Sequence, residues 1–145
     1  MIASFQDEYR FLSNFTLAEV TFEGVLYAST EHAYQAAKVL DPVLRETVRQ
    51  APTSGAAKRM GNEFKKRGKI RSDWLEVRVG IMEGLLRQKF TNHPELRALL
   101  LATGNQELIE GNTWKDDFWG VYKGKGQNML GKLLMQIRFE LQTQR

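Results

Sequence analysis

Between Trp74 and Leu86 the apolar residues recur at the interval of a helix: Trp74, Val77, Ile81, Leu85 and Leu86 fall along one face. Asp73 stands where an N-cap belongs, and Glu76 follows three residues later, as in a capping box. The spacing predicts a helix running to about Phe90. A helix with one apolar face must bury it, so the rest of the chain has to supply the cover.

The remaining elements follow from local signals. Glu19 to Ser29 alternates about Glu23-Gly24, with Val20, Phe22, Val25 and Tyr27, and predicts a β-hairpin. Thr30 is the expected N-cap of the next helix, with Glu31 in its first turn and Ala33, Ala36, Ala37 and Leu40 on its buried face. Asp41-Pro42 restarts a helix that runs to Gln50, and Pro52-Thr53-Ser54 opens another that fades near Gly68. Asn92-His93-Pro94-Glu95 begins one that stops at Gly104. Short strands are expected from Glu107 to Glu110 and near Trp119 to Tyr122. A last helix places Leu130, Leu133, Leu134, Ile137 and Leu141 inward. With no linker, repeat or low-complexity tract, residues 1–145 read as one α+β domain, mostly helical with a small β-sheet.

Composition narrows the chemistry. The absence of cysteine excludes a disulfide framework, a thiolate zinc site and a cysteine nucleophile, and fits a cytoplasmic location. Two histidines, His32 and His93, are too few for a histidine-rich metal site, so no metal is expected. Neither Met1-Ile2-Ala3-Ser4-Phe5 nor Leu99-Leu100-Leu101 is long enough for a signal sequence or a membrane span, so no membrane partner is expected. The net charge of +4 suits either a phosphate-bearing partner or an ordinary solvated surface. The run Lys65-Lys66-Arg67-Gly68-Lys69-Ile70-Arg71 is likewise either a phosphate rim or a solvated turn.

Four clusters carry candidate chemistry. Glu31 and His32 are adjacent in a helical turn, so they diverge by about 100° and do not share a face. Glu31 either lines a cleft or complements the helix dipole, and His32 is either a ligand-side group or a satisfied core residue. In Trp114-Lys115-Asp116-Asp117-Phe118-Trp119-Gly120, paired acids lie between indoles that stack on a planar heterocycle or plug the core. Gly124-Lys125-Gly126-Gln127-Asn128-Met129-Leu130-Gly131 runs into a helix, as an anion site or as a plain turn, and completes neither a Walker nor a dinucleotide fingerprint. Asn14, in Phe11-Leu12-Ser13-Asn14-Phe15, either bonds a sugar or base or makes an Asx-turn.

Taken in order, Phe11–Phe15, Thr30–Lys38, Lys89-Phe90, Leu101–Gly104, Asp117–Gly120 and Gly126–Met135 resemble the NADAR family, the YbiA-like proteins named for an association with NAD and ADP-ribose metabolism. The resemblance spans roughly Tyr9 to Arg138, and it is the combination of motifs that is specific. It implies an α+β N-glycosidase that works without a cofactor on early ribosylamino-pyrimidine phosphates of riboflavin synthesis. Alternatively, it implies a hydrolase that removes ADP-ribose from a modified guanine base or acts on an NAD-related nucleotide. Nucleic acid is then a partner only if it carries the modified base. Residue by residue, it implies Glu31 as the central acid, with Asn14, His32, Gln35 and Lys38 framing the site and Asp117, Trp119 and Asn128 closing it. Asp117 is the expected catalytic runner-up to Glu31 or its partner, and Arg10 and Lys38 are the candidates for the phosphate.

The expected chemistry follows from the bond that breaks. Cleaving C1′–N builds an oxocarbenium ion, which a nearby carboxylate such as Glu31 stabilises while it activates water. Trp119 would stack on the leaving base, and Asn14 or His32 would hydrogen-bond to it or protonate it. Two non-hydrolytic readings stand beside this one: an ADP-ribose or nucleotide-binding module, and a nucleic-acid-binding protein resting on the basic pI alone. The oligomeric state is not readable from the sequence.

Overall fold

The computed structural model describes residues 1–144. In chain order it has a 3-10 helix (Asp7–Leu12), β1 (Leu17–Phe22), β2 (Val25–Ser29), α1 (Thr30–Ala37), α2 (Pro42–Arg49) and α3 (Ser54–Lys66). There follow α4 (Trp74–Asn92), α5 (Pro94–Ala102), β3 (Gly111–Asn112), β4 (Val121–Tyr122) and α6 (Met129–Thr143). The fold is α+β and mostly helical. Two compact units make it up: Asn14–Asn92, and Met1–Ser13 with the chain from His93 onward. Among the described residues, no helix is long and apolar enough to cross a membrane.

In the unit Asn14–Asn92, β1 and β2 form an antiparallel hairpin with Val20 opposite Tyr27 and Phe22 opposite Val25. Glu23 and Gly24 both take positive φ, 48° and 81°, the backbone of a tight hairpin turn matched to strand twist. Helix α1 is packed by α2, α3, α4 and both strands, and every one of its residues is buried. Small residues make this possible: Ala33, Ala36 and Ala37 on α1, and Ala56, Ala57 and Gly61 on α3, are all buried. Burying polar side chains from a whole helix costs free energy unless each finds a partner, and that requirement shapes the site.

Several expectations are corrected here. The N-cap of α1 is Ser29, not Thr30: Ser29 is extended and its hydroxyl accepts from the His32 amide. Both residues are competent caps, and the chain turns helical one residue earlier than expected. Helix α1 ends at Ala37, which leaves Leu40 63% exposed instead of buried. The Asp73 carboxylate, at the position expected to cap α4, is bound by Arg71, which donates through Nε at 2.6 Å and Nη2 at 3.0 Å. On α4, Val77 and Ile81 are half-buried, whereas Met82, Lys89 and Phe90 join Trp74, Leu85 and Leu86 inside. The caps at Asp41 and Thr53, the latter one residue before α3, lie where the Pro and Ser signals put them.

In the other unit, α5 opens at Pro94 and Gly104 follows its end with φ 64°. The strand expected at Glu107 to Glu110 is a single bridge, Leu108 to Ile2, and regular pairing starts only at β3, which runs parallel to β4. The β content thus falls in two separate pairs. Leu130, Leu133, Leu134, Ile137 and Leu141 of α6 are all buried, as their spacing requires.

Candidate functional site

The first turn of α1 is assembled from several segments. The Glu31 amide donates to the Asn14 carbonyl at 3.1 Å, which ties the Phe11–Phe15 motif to the helix through Asn14. Beside it, the His32 ring reaches Ser29 Oγ from Nδ1 at 2.7 Å and the Ala51 carbonyl from Nε2 at 3.0 Å. A carbonyl only accepts, so Nε2 carries the proton and, in the neutral ring, Nδ1 accepts from Ser29. Ser54 donates to the Phe15 carbonyl at 2.9 Å, and its oxygen lies 3.0 Å from Ser29 Oγ. His32 is therefore committed at both nitrogens inside the protein and braces the turn that carries Glu31.

Glu31 is different. It is 6% exposed, and Gln35, one turn on, donates Nε2 to its Oε1 at 2.7 Å. Burial raises its pKa above the ordinary carboxylate value; the Gln35 hydrogen bond and the charges of Lys58, Lys38 and His32 offset part of that rise. Lys38, at the end of α1, sits with Nζ 5.5 Å from the Tyr34 ring centroid. Its pKa is lowered, first by burial and then by Lys65, Lys58 and Arg78, against the pull of Glu31. Tyr34 in turn packs on Trp74, ring centroids 5.0 Å apart. The arrangement is one desolvated carboxylate in a field of cations drawn from α1, α3 and α4.

Polar atoms at the same turn lack protein partners. Asn14 donates to Met82 Sδ at 3.6 Å, a weak bond, and its Oδ1 is buried with no hydrogen-bond partner. Thr30 Oγ1 and Gln35 Oε1 are buried in the same condition. Such groups are rare in protein interiors and concentrate where a ligand completes the bonding. Asn14, Glu31, His32, Gln35 and Lys38 are thus gathered in one unit around α1. Lys58, Gly61 and Arg78 belong with them and were not anticipated. A signal was present in Ser54–Gly61, where small residues at close helix-packing intervals flank Lys58.

Arg10, Asp117, Trp119 and Asn128 lie in the other unit. Arg10 is exposed on the 3-10 helix. Asp116 is the structural acid of its pair: its Oδ1 accepts from the amides of Phe118 at 3.1 Å and Trp119 at 2.9 Å. Asp117 points outward and is exposed. Trp119 is half-buried and edge-on to Phe118, centroids 4.9 Å apart. Asn128 is consumed at both ends, accepting from the Glu110 amide and donating to the Leu108 carbonyl, each at 2.9 Å. The amides of Met129 and Leu130, which open α6, donate to the Phe118 and Trp119 carbonyls. Of the two readings of that helix start, anion site or plain turn, these bonds favour the turn, because those donors are already spent. Among the described residues, no three His, Asp or Glu side chains come together to hold a metal.

A model of the NADAR domain matches residues 3–142. The chain belongs to the NADAR family. It is 41% identical to the N-glycosidase YbiA of Escherichia coli, over 95% of this chain and 85% of that one. It is 40% identical to a riboflavin biosynthesis protein of Vibrio vulnificus, over 94% of this chain and 36% of that longer protein. An N-glycosidase of Nostoc punctiforme is 34% identical, over 93% of this NADAR chain and 87% of that one. The NMR structure of E. coli YbiA matches the fold with a TM-score of 0.83, covering 98% of this chain and 83% of that one at 40% identity.

Proposed function

We propose that this NADAR-family N-glycosidase hydrolyses the C1′–N bond of a phosphorylated riboside, with a ribosylamino-pyrimidine phosphate of riboflavin biosynthesis as its substrate. The observation that carries the reading is Glu31, a carboxylate buried at 6% exposure and flanked by lysines. The names of the E. coli, Nostoc and Vibrio relatives support the bond type and the pathway. As the C1′–N bond breaks, its electron pair leaves on nitrogen and positive charge spreads over C1′ and the ring oxygen. An ionised Glu31 stabilises that charge more strongly in a water-poor site than in solvent. It then takes a proton from the water that adds to C1′, the departing nitrogen takes up a proton from solvent, and Glu31 returns its own to solvent, so that one water is consumed per bond broken. Lys38 and Lys58 supply charge for the ribose phosphate. Asp117, Trp119 and Asn128 enter through the family motifs alone, and Arg10 as a candidate for the phosphate; each is tested by its own substitution.

A second reading keeps the chemistry and enlarges the substrate to an ADP-ribosylated base or an NAD-related nucleotide. The grouping of Lys38, Lys58, Lys65 and Arg78 favours it, since a diphosphate needs more cations than a monoester. The deciding experiment incubates the protein with a panel of both substrate types and follows free ribose 5-phosphate and free ADP-ribose. Release of ribose 5-phosphate is the expected result. Release of ADP-ribose selects the second reading, and tight ADP-ribose binding without turnover of any riboside marks a non-catalytic binding module.

A further inference from the structure

Residue 61 is a glycine within α3, although glycine is the poorest helix former after proline. Gly61 is buried, and a Cβ placed on it would lie 1.7 Å from Gln35 Oε1 and 2.7 Å from Gln35 Cδ. The Gln35 amide therefore lies directly on the bare backbone of α3. The same amide donates to Glu31 Oε1 at 2.7 Å. Its own oxygen, Oε1, is buried with no hydrogen-bond partner in the protein, so no second hydrogen bond through that atom helps to hold the amide. What keeps it in place is the bond to Glu31 and the space at residue 61.

We propose that Gly61 is a positioning residue for Glu31: by leaving room for the Gln35 amide, it sets the hydrogen bond that Gln35 donates to the carboxylate. The proposal rests on the reading of Glu31 as the catalytic carboxylate and deepens it. A side chain at 61 pushes the amide away and removes a donor that favours the ionised form. The other charges acting on Glu31 are Lys58 from α3 and Lys38 and His32 from α1, with Arg78 of α4 acting on Lys38. None of these is altered by the substitution, so a change in Glu31 titration traces to the amide.

The test uses the full chain as Gly61→Ala, Gln35→Ala and the double variant. Two quantities are read: the pH dependence of kcat/KM for ribose phosphate release, and the titration of Glu31 by carboxyl-carbon NMR. Each single variant should lower kcat/KM about tenfold at neutral pH and move the Glu31 titration up by about one pH unit, the scale of a hydrogen bond to a charged group. The two losses should not add, because with alanine at 35 there is no amide for a Cβ at 61 to meet. For the same reason the double variant folds even where Gly61→Ala alone does not. A Gly61→Ala protein with unmoved Glu31 titration, or equal losses from Gly61→Ala in both backgrounds, overturns the proposal. If the titration moves as expected but the wild type cleaves no riboside, the functional reading fails and the positioning role stands.

Discussion

The first turn of α1 and the turn before β4 both carry two neighbouring polar residues, and they use them in parallel ways. In each pair one member is spent on the backbone: His32 bridges Ser29 and Ala51, and Asp116 accepts the amides of Phe118 and Trp119. The other member is the candidate for chemistry, and here the two turns part. Glu31 is buried and faces lysines, whereas Asp117 is exposed to water. A carboxylate in water is already solvated and offers little extra stabilisation to a developing cation; a desolvated one offers more. The comparison teaches that burial, more than the presence of an acid, selects the catalytic candidate.

Substitutions at the two candidate acids, Glu31 and Asp117, test this most strongly. Glu31→Gln should lower kcat by about a hundredfold or more, the scale of a positioned acid or base. Asp117→Asn should cost about tenfold or less under the same assay. Equal losses would erase the distinction between the turns. The structural members should show the opposite pattern, with effects on stability. His32→Ala removes two buried side-chain hydrogen bonds, leaves the Ala51 carbonyl without its imidazole donor and opens a cavity, a loss of roughly 2–4 kcal/mol in chemical denaturation. Asp116→Ala should cost about 1–2 kcal/mol, as two amide partners are lost from a half-buried turn. Ser29→Ala is the mildest of the three, at about 1 kcal/mol for an N-cap. A Ser29→Ala protein as unstable as His32→Ala would mean that the Ser29 hydroxyl, which both caps α1 and binds the imidazole, holds the turn as much as His32 does.

Stability also carries a sign that depends on Glu31. Its folded pKa lies above its unfolded value, so its contribution is most favourable when protonated and is lost as pH rises through the folded pKa. Above that pH the wild type holds an ionised carboxylate at a cost. Glu31→Gln should therefore be at least as stable as wild type at neutral pH, with the gain shrinking as the solution is acidified. Urea midpoints across pH check this, and a Glu31→Gln protein that is less stable at neutral pH contradicts it.

What was legible in the sequence was local. Asp41-Pro42, Pro94, Gly104 and Glu23-Gly24 each dictate backbone through one or two residues, and the elements begin and end around them. Local competition between equals was not legible: Ser29 and Thr30 both suit a cap, and it is Ser29 that takes it. The family motifs pointed to Glu31, Asn14, Gln35 and Lys38, but not to what surrounds them. Lys58 and Gly61 join the site because α3 packs on α1, and His32 is braced by Ala51, 19 residues away. Those relations depend on how helices meet, which no window of sequence encodes.

The most direct test of Glu31 as a desolvated catalytic carboxylate is the pH dependence of single-turnover ribose 5-phosphate release in wild type and Glu31→Gln. Wild-type rates should climb about tenfold per pH unit below the raised Glu31 pKa and level off above it, while Glu31→Gln stays low and flat across the same range. A Glu31→Gln protein that keeps the acid limb, or runs within a few-fold of wild type, would place the chemistry on another group.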